Sequence, residues 1–152
     1  MDVKFIPAYR GDGKYLFVSY AHKDSEDVYP VIEALIADGY RVWYDEGIDP
    51  GEDWAEAIGS SLSKASLLMF FATKTSVKRE NVMRELVFAK EHDIPVITVK
   101  IGNFVFPPET ERMLLVNQVV NLSAFETFNE FVTALRPVTG KYGVREETTE
   151  NN

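Results

Sequence analysis

Two hydrophobic rhythms alternate along this chain. Short, nearly continuous apolar runs occur at 15–20, 41–44, 67–72, 95–100 and 118–121, and the third, Leu67-Leu68-Met69-Phe70-Phe71-Ala72, is the most apolar. Such runs, without polar alternation, predict strands buried on both faces. Between them, apolar residues recur at helical spacing. Val28, Val31, Ile32, Leu35 and Ile36 form one set, and Trp54, Ile58 and Leu62 a second. Val82, Leu86 and Ala89 form a third, and Phe128, Phe131, Val132 and Leu135 the last. Each set predicts a helix that packs along one stripe.

The punctuation agrees with these elements. Asp24 has the character of an N-cap for the first helix, Pro30 falls near its first turn, and Gly39 follows its last periodic residue. Asp53 and Glu56 have capping-box spacing ahead of the second helix, which runs to about residue 64. Residues 45–53 carry Gly47, Pro50 and Gly51 and predict a turn-rich loop. A polar loop at 73–80 leads to a helix over 81–92. After the fourth strand comes an irregular stretch with Pro107 and Pro108, and a turn of helix near 109–114.

Strands that alternate with helices predict an α/β fold with a parallel sheet covered on both faces. For five strands this is the flavodoxin-like, doubly wound order 2-1-3-4-5. One domain is expected over 14–136, at about 100–200 residues per domain. Residues 1–13 predict an N-terminal arm. Residues 137–152 predict a flexible tail whose polar composition also suits a cut linker.

Composition narrows the chemistry. The 152 residues are 45% hydrophobic and 26% charged, which is ordinary globular usage. Lys and Arg total 16 against 24 Asp and Glu, a net charge of −8, which argues against nucleic acid or an anionic membrane as partner. A local basic patch for a small anion stays open. Cysteine is absent, which removes disulfides, thiolate zinc sites and a Cys nucleophile. The two histidines, His22 and His92, have no metal-binding spacing, so no metal is expected. With no long apolar span and no signal-like N-terminus, a soluble cytoplasmic chain is the expectation.

The topology itself places a site. Ligands of open parallel sheets bind beyond the carboxyl ends of the strands, at the switch point, here between strands one and three. The loop after Tyr20 and the segment after Ala72 line that crevice. The loop after strand one, Ala21-His22-Lys23-Asp24, has no glycine, which disfavours a flavin phosphate. Ala72-Thr73 offers no carboxylate for a phosphoryl-accepting response regulator. No GxxxxGK[ST] motif exists for a nucleoside triphosphate. What the crevice does receive is Glu85. At about 100° per residue it falls beside the apolar stripe of its helix, on the side of Asn81, Phe88 and His92. A carboxylate there either stabilises positive charge in a reaction or pairs with a neighbouring Lys or Arg.

The residues also resemble a known family. Phe17-Val18-Ser19-Tyr20-Ala21-His22-Lys23-Asp24 resembles the first box of TIR (Toll/interleukin-1 receptor) domains in their bacterial form. Arg41-Val42-Trp43-Tyr44-Asp45, followed by Gly47-Ile48-Asp49-Pro50-Gly51-Glu52-Asp53-Trp54, resembles the second box and its BB loop. Ser76, then Val82-Met83-Arg84-Glu85-Leu86, Ala89 and Ile94-Pro95-Val96 resemble the segment that carries the family's glutamate. The resemblance runs from about 14 to 135 and implies the same five-stranded fold.

Many members cleave NAD+ at the nicotinamide–ribose bond, releasing ADP-ribose or cyclising it. The resemblance makes Glu85 the catalytic carboxylate. It places Ser19, Tyr20, Ala21, His22, Asp45, Trp54 and Asn81 around the nucleotide, with the BB loop as a gate. NAD+ is then substrate, and no tightly bound cofactor is implied. Active members often carry a stacking Trp four residues before the glutamate, where this chain has Asn81. Trp54 and Phe88 are the substitutes to weigh, although both also suit a core, as Trp43 does.

Two functions follow from the resemblance. One is an NAD+ glycohydrolase or cyclase with a signalling or defence output, assembled by TIR–TIR self-association. The other is a non-enzymatic adaptor that binds its own kind or other TIR proteins through the BB loop 45–53, with Ile48, Pro50 and Trp54 prominent. A flavodoxin-like electron carrier would instead purify with yellow flavin.

Overall fold

The structure is a computed structural model. It describes residues 13–44, 54–114 and 118–146, with 54–58 and 113 described as backbone alone. Five strands form one parallel sheet: β1 (Leu16–Ser19), β2 (Val42–Tyr44), β3 (Leu67–Ala72), β4 (Val96–Lys100) and β5 (Gln118–Asn121). Their order is β2-β1-β3-β4-β5, the order expected. Phe17 lies opposite Trp43 on one side and Leu68 on the other. Phe70 pairs in turn with Thr98, and Thr98 with Val119.

The strand period of two sends successive side chains to opposite faces. Leu16, Val18, Leu67, Met69, Phe71, Ile97 and Val99 meet the helices α1 (Ser25–Ala37) and α5 (Phe128–Thr139). Phe17, Leu68, Phe70, Ala72 and Val96 meet α2 (Trp54–Ser63), α3 (Glu80–Glu91) and α4 (Pro108–Leu114) on the other face. β3 is buried along its whole length, as its unbroken apolar run requires. Trp43, on the edge strand, is half-buried, with its ring stacked on Phe17 at 4.9 Å.

Two expectations need correction. Asp24 occupies the N-cap position of α1, but its side chain caps nothing. A short 3-10 turn, His22–Asp24, precedes the helix and swings this carboxylate to Thr73. The larger correction concerns the tail. α5 runs through Pro137 to Thr139, and a further 3-10 turn, Gly140–Tyr142, follows. Gly143 turns the chain in the left-handed region (φ 66°), and Val144 is then fully buried against the α1/α5 core. Arg145 bridges to Tyr40, and its guanidinium and that of Arg136 both reach Asp38. Residues 137–146 are therefore a docked clasp. Gly39 (φ 98°) sits so close beneath it that a Cβ would lie 2.5 Å from the Glu146 carbonyl oxygen. The remainder of the expected tail, 147–152, the arm 1–12 and the loop 45–53 lie outside the described residues.

Candidate active site at the carboxyl ends of β1 and β3

Glu85 is the buried carboxylate of the described residues, 7% exposed in the second turn of α3. α3 returns against β3 and β1 along Val82, Leu86 and Ala89, all buried, which carries Glu85 over the end of β1. There the Ser19 hydroxyl, itself buried, donates to Glu85 Oε1. Burying a carboxylate is costly unless hydrogen bonds compensate it, so this contact fixes where the charge points.

A cavity of about 260 Å³ opens at this point. Its walls are Val18, Tyr20, Ala21, His22 and Lys23 from β1 and its following loop, and Arg79, Asn81, Val82 and Glu85 from the start of α3. This is the crevice that the strand order predicts. Four residues expected to surround a ligand, Tyr20, Ala21, His22 and Asn81, line it together with Glu85. Ser19 stands one step behind, holding the carboxylate. Asp45 lies outside the described residues, and Trp54 opens α2 with its side chain outside that description.

Phe88 does not reach the cavity wall. Its ring stacks on His92 at 3.9 Å and 11°, one turn farther along α3. The aromatic surfaces at the cavity are Tyr20 and His22, whose ring centroids are 5.2 Å apart. Tyr20 is buried and its hydroxyl lies 3.3 Å from that of Tyr29, whereas His22 is exposed.

The two loops that form the walls are stapled together. Thr73 and Ser76 exchange hydrogen bonds: Thr73 N–H donates to Ser76 Oγ, and Ser76 N–H donates to Thr73 Oγ1, both at 2.8 Å. Ser76 Oγ also donates to the Phe71 carbonyl at 2.9 Å. Thr73 Oγ1 then donates to Asp24 Oδ2 at 2.5 Å, crossing from the β3 loop to the β1 loop. Every member has a partner, so the network stiffens the cavity rim without leaving a buried polar group unpaid.

Lys23 and Arg79 were not anticipated as wall residues. Lys23 reads in sequence as a solvated helix start, and Arg79 as part of a polar loop. The available signal was topological, since both follow strands that flank the switch point.

An open α/β module with an acidic residue buried in its switch-point crevice is a ligand-binding or catalytic class of domain. The chain belongs to the TIR domain family, whose sequence model matches residues 16–135. No curated protein matches the chain. Among solved structures it resembles the TIR domain of the Toll-related receptor TRR-2 from Hydra magnipapillata. The TM-score there is 0.64 at 14% identity, over 84% of this chain and 96% of that one. It also resembles a metazoan TIR-STING receptor from C. gigas, TM-score 0.61 at 16% identity, over 86% of this chain but only 42% of the receptor. A third likeness is to the CMP N-glycosidase BcmB of Clostridium botulinum, TM-score 0.58 at 13% identity, over 82% of this chain and 99% of that one. At these identities the likenesses concern the fold. Among the described residues no helix is long and apolar enough to cross a membrane.

Proposed function

We propose that this TIR domain is a nucleotide N-glycosidase, with NAD+ as substrate and the nicotinamide–ribose bond as the bond cleaved. The observation that carries the reading is the buried, Ser19-held carboxylate of Glu85 in the wall of the switch-point cavity. Membership of a family with NAD+-cleaving members supports it, as does a fold neighbour named as a CMP N-glycosidase.

The chemistry suits a site whose described lining carries one carboxylate, Glu85. The nicotinamide ring leaves NAD+ as a neutral molecule, taking the electron pair of the C1′–N bond, so departure requires no general acid. Positive charge moves from the nicotinamide ring onto the ribose. A carboxylate held beside the ribose in a poorly solvated wall stabilises it there more than it does in the ground state, where the charge sits on the ring. Water then adds at C1′ and loses a proton, giving ADP-ribose; attack by a ring nitrogen of the adenine gives a cyclic product instead. Tyr20 and His22 present ring surfaces for the leaving base where Asn81 offers none. Self-association through TIR–TIR contacts, with the BB loop 45–53, would complete and gate the site.

Purified chain at high concentration is incubated with NAD+ and the products are separated by chromatography, with Glu85→Gln and Glu85→Ala alongside. Nicotinamide release that both variants reduce at least 100-fold, with unchanged melting temperature, is the expected result. Release that survives Glu85→Ala overturns the assignment. The adaptor reading draws on one observation, Asn81 in place of a stacking Trp at the cavity wall. It predicts partner binding without turnover even when the chain is forced into oligomers.

A further inference from the structure

The net charge of −8 makes two features of the cavity rim unusual. Lys23 and Arg79 arrive from different loops, after β1 and after β3, and line the same opening as Glu85. Of the other described arginines, all but Arg112, which lies on α4, are committed elsewhere. Arg84 pairs with Glu80, while Arg136 and Arg145 pair with Asp38. Arg41 donates to the carbonyls of Lys14 and Gly143. Lys100 lies over the rings of Phe104 and Phe106. By contrast the side chains of Lys23 and Arg79 make no hydrogen bond or ion pair with another described residue. The nearby acids direct their hydrogen bonds elsewhere: Asp24 accepts from Thr73, and Glu80 pairs with Arg84. Arg79 occupies the N-cap position of the 12-residue α3 and supplies no side-chain cap, so the positive end of this helix faces the same rim.

We infer that Arg79 and Lys23 form a two-sided anion clamp that holds a phosphate of the substrate at the mouth of the Glu85 cavity, which makes the site selective for nucleotides over nucleosides. This deepens the glycosidase reading and rests on it for the identity of the substrate. The logic is electrostatic. A buried carboxylate repels a phosphate that approaches its cavity. Two cations at the rim offset that repulsion where the phosphate sits and leave the carboxylate to act deeper in, where ribose charge develops. An arginine at the rim adds a planar, bidentate donor fork suited to phosphate oxygens. The cavity's modest 260 Å³ fits this division. It suits a base and ribose, with the phosphates held outside at the mouth.

The test uses binding and turnover side by side on the full chain. Calorimetry measures AMP, ADP-ribose and adenosine against the parent, Arg79→Gln, Lys23→Gln and Glu85→Gln, and turnover is followed with NAD+ and with nicotinamide riboside. The parent is expected to bind AMP and ADP-ribose at least tenfold more tightly than adenosine. Each rim substitution should weaken the two nucleotides about tenfold and leave adenosine unchanged. In turnover, KM for NAD+ should rise about tenfold at nearly constant kcat, with no change for nicotinamide riboside. Arg79→Lys should restore part of the loss. Glu85→Gln should keep nucleotide affinity while losing turnover.

Rim variants that bind AMP as the parent does, or a parent that binds no nucleotide, overturn the clamp. Turnover that treats NAD+ and nicotinamide riboside alike overturns it too, yet leaves the glycosidase standing. Cation-dependent AMP binding with no turnover in any assembly state sinks the glycosidase and supports the clamp.

Discussion

Ending the chain after Gly143 should destabilise it severely, whereas ending it after Glu146 should not. Val144 is fully buried within the α1/α5 core, and burying a side chain of this kind is worth about 1.5–3 kcal/mol. Its carbonyl accepts the Arg41 N–H at 2.9 Å, and the Glu146 N–H donates to Gly39 at 2.8 Å. Each such bond contributes about 1 kcal/mol net. The partly exposed Arg145–Asp38 ion pair adds at most about 1 kcal/mol after solvent screening. Together these make about 4 kcal/mol, a large share of the roughly 5–15 kcal/mol that holds a domain folded. At a denaturant slope of about 2 kcal/mol per molar urea, the unfolding midpoint should fall by about 2 M. Urea titration followed by tryptophan fluorescence, with Trp43 on neighbouring β2, reads the difference between the two truncations. Midpoints that agree to within about 0.3 M would show that the clasp contributes nothing, and the account of Val144 would be wrong.

Acid should dissolve part of the same clasp. Hydrogen bonding from Arg136 holds the Asp38 carboxyl below its ordinary value despite partial burial, and Arg145 acts in the same direction. A depressed folded-state value gives stability that is present above the unfolded pKa of about 3.9 and is lost as pH falls through the folded value. The stability gap between the parent and Asp38→Asn, measured by urea unfolding, should therefore be full at neutral pH and narrow as pH falls below about 3.9, the unfolded value; a constant gap contradicts the ion-pair account. Thr98 is fully buried in β4, and its hydroxyl has no hydrogen-bond partner among the described residues. Thr98→Val, equal in shape, should raise stability by about 1 kcal/mol in thermal unfolding, and a loss would show that the hydroxyl is satisfied. Ser19→Ala removes the donor that orients Glu85. In nicotinamide release it should lower kcat about 10- to 100-fold while KM stays within twofold, and an unchanged kcat would separate Ser19 from the reaction.

The sheet was legible because burial on both faces leaves a coarse signature. β3 begins and ends where its apolar run does, whereas β5 is an edge strand left largely exposed, marked only by Val119 and Val120 between Gln118 and Asn121. The strand order follows from the alternation of strands with helices. Glu85 was legible for a similar reason, since a carboxylate beside an apolar stripe contradicts the local pattern. The clasp left no such mark. Val144 is a single apolar residue between Gly143 and Arg145 in a polar segment, and one residue has no period. Pro137 also suggested an end to α5, although the helix continues to Thr139, whose hydroxyl meets Tyr40 at 2.8 Å. Lys23 and Arg79 were missed because exposed cations in loops are common, and only the fold shows that these two share one opening.

The two ends of the sheet divide the work. Gly39, Tyr40 and Arg41 stand at the amino end of β2, where the clasp closes over them with buried Val144, backbone bonds and the Asp38 ion pairs. At the carboxyl ends of β1 and β3 the buried side chains turn polar: Ser19, Thr73, Ser76 and Glu85. Replacing such a set with apolar residues would cost a fold little and often stabilise it. Its concentration around one cavity, with the hydroxyls of Thr73 and Ser76 spent on fixing two loops, is what a site needs to hold a charge in place. The apolar core and the clasp supply the stability that such a site consumes, so mutations at the amino end should alter unfolding and leave the cavity's chemistry alone.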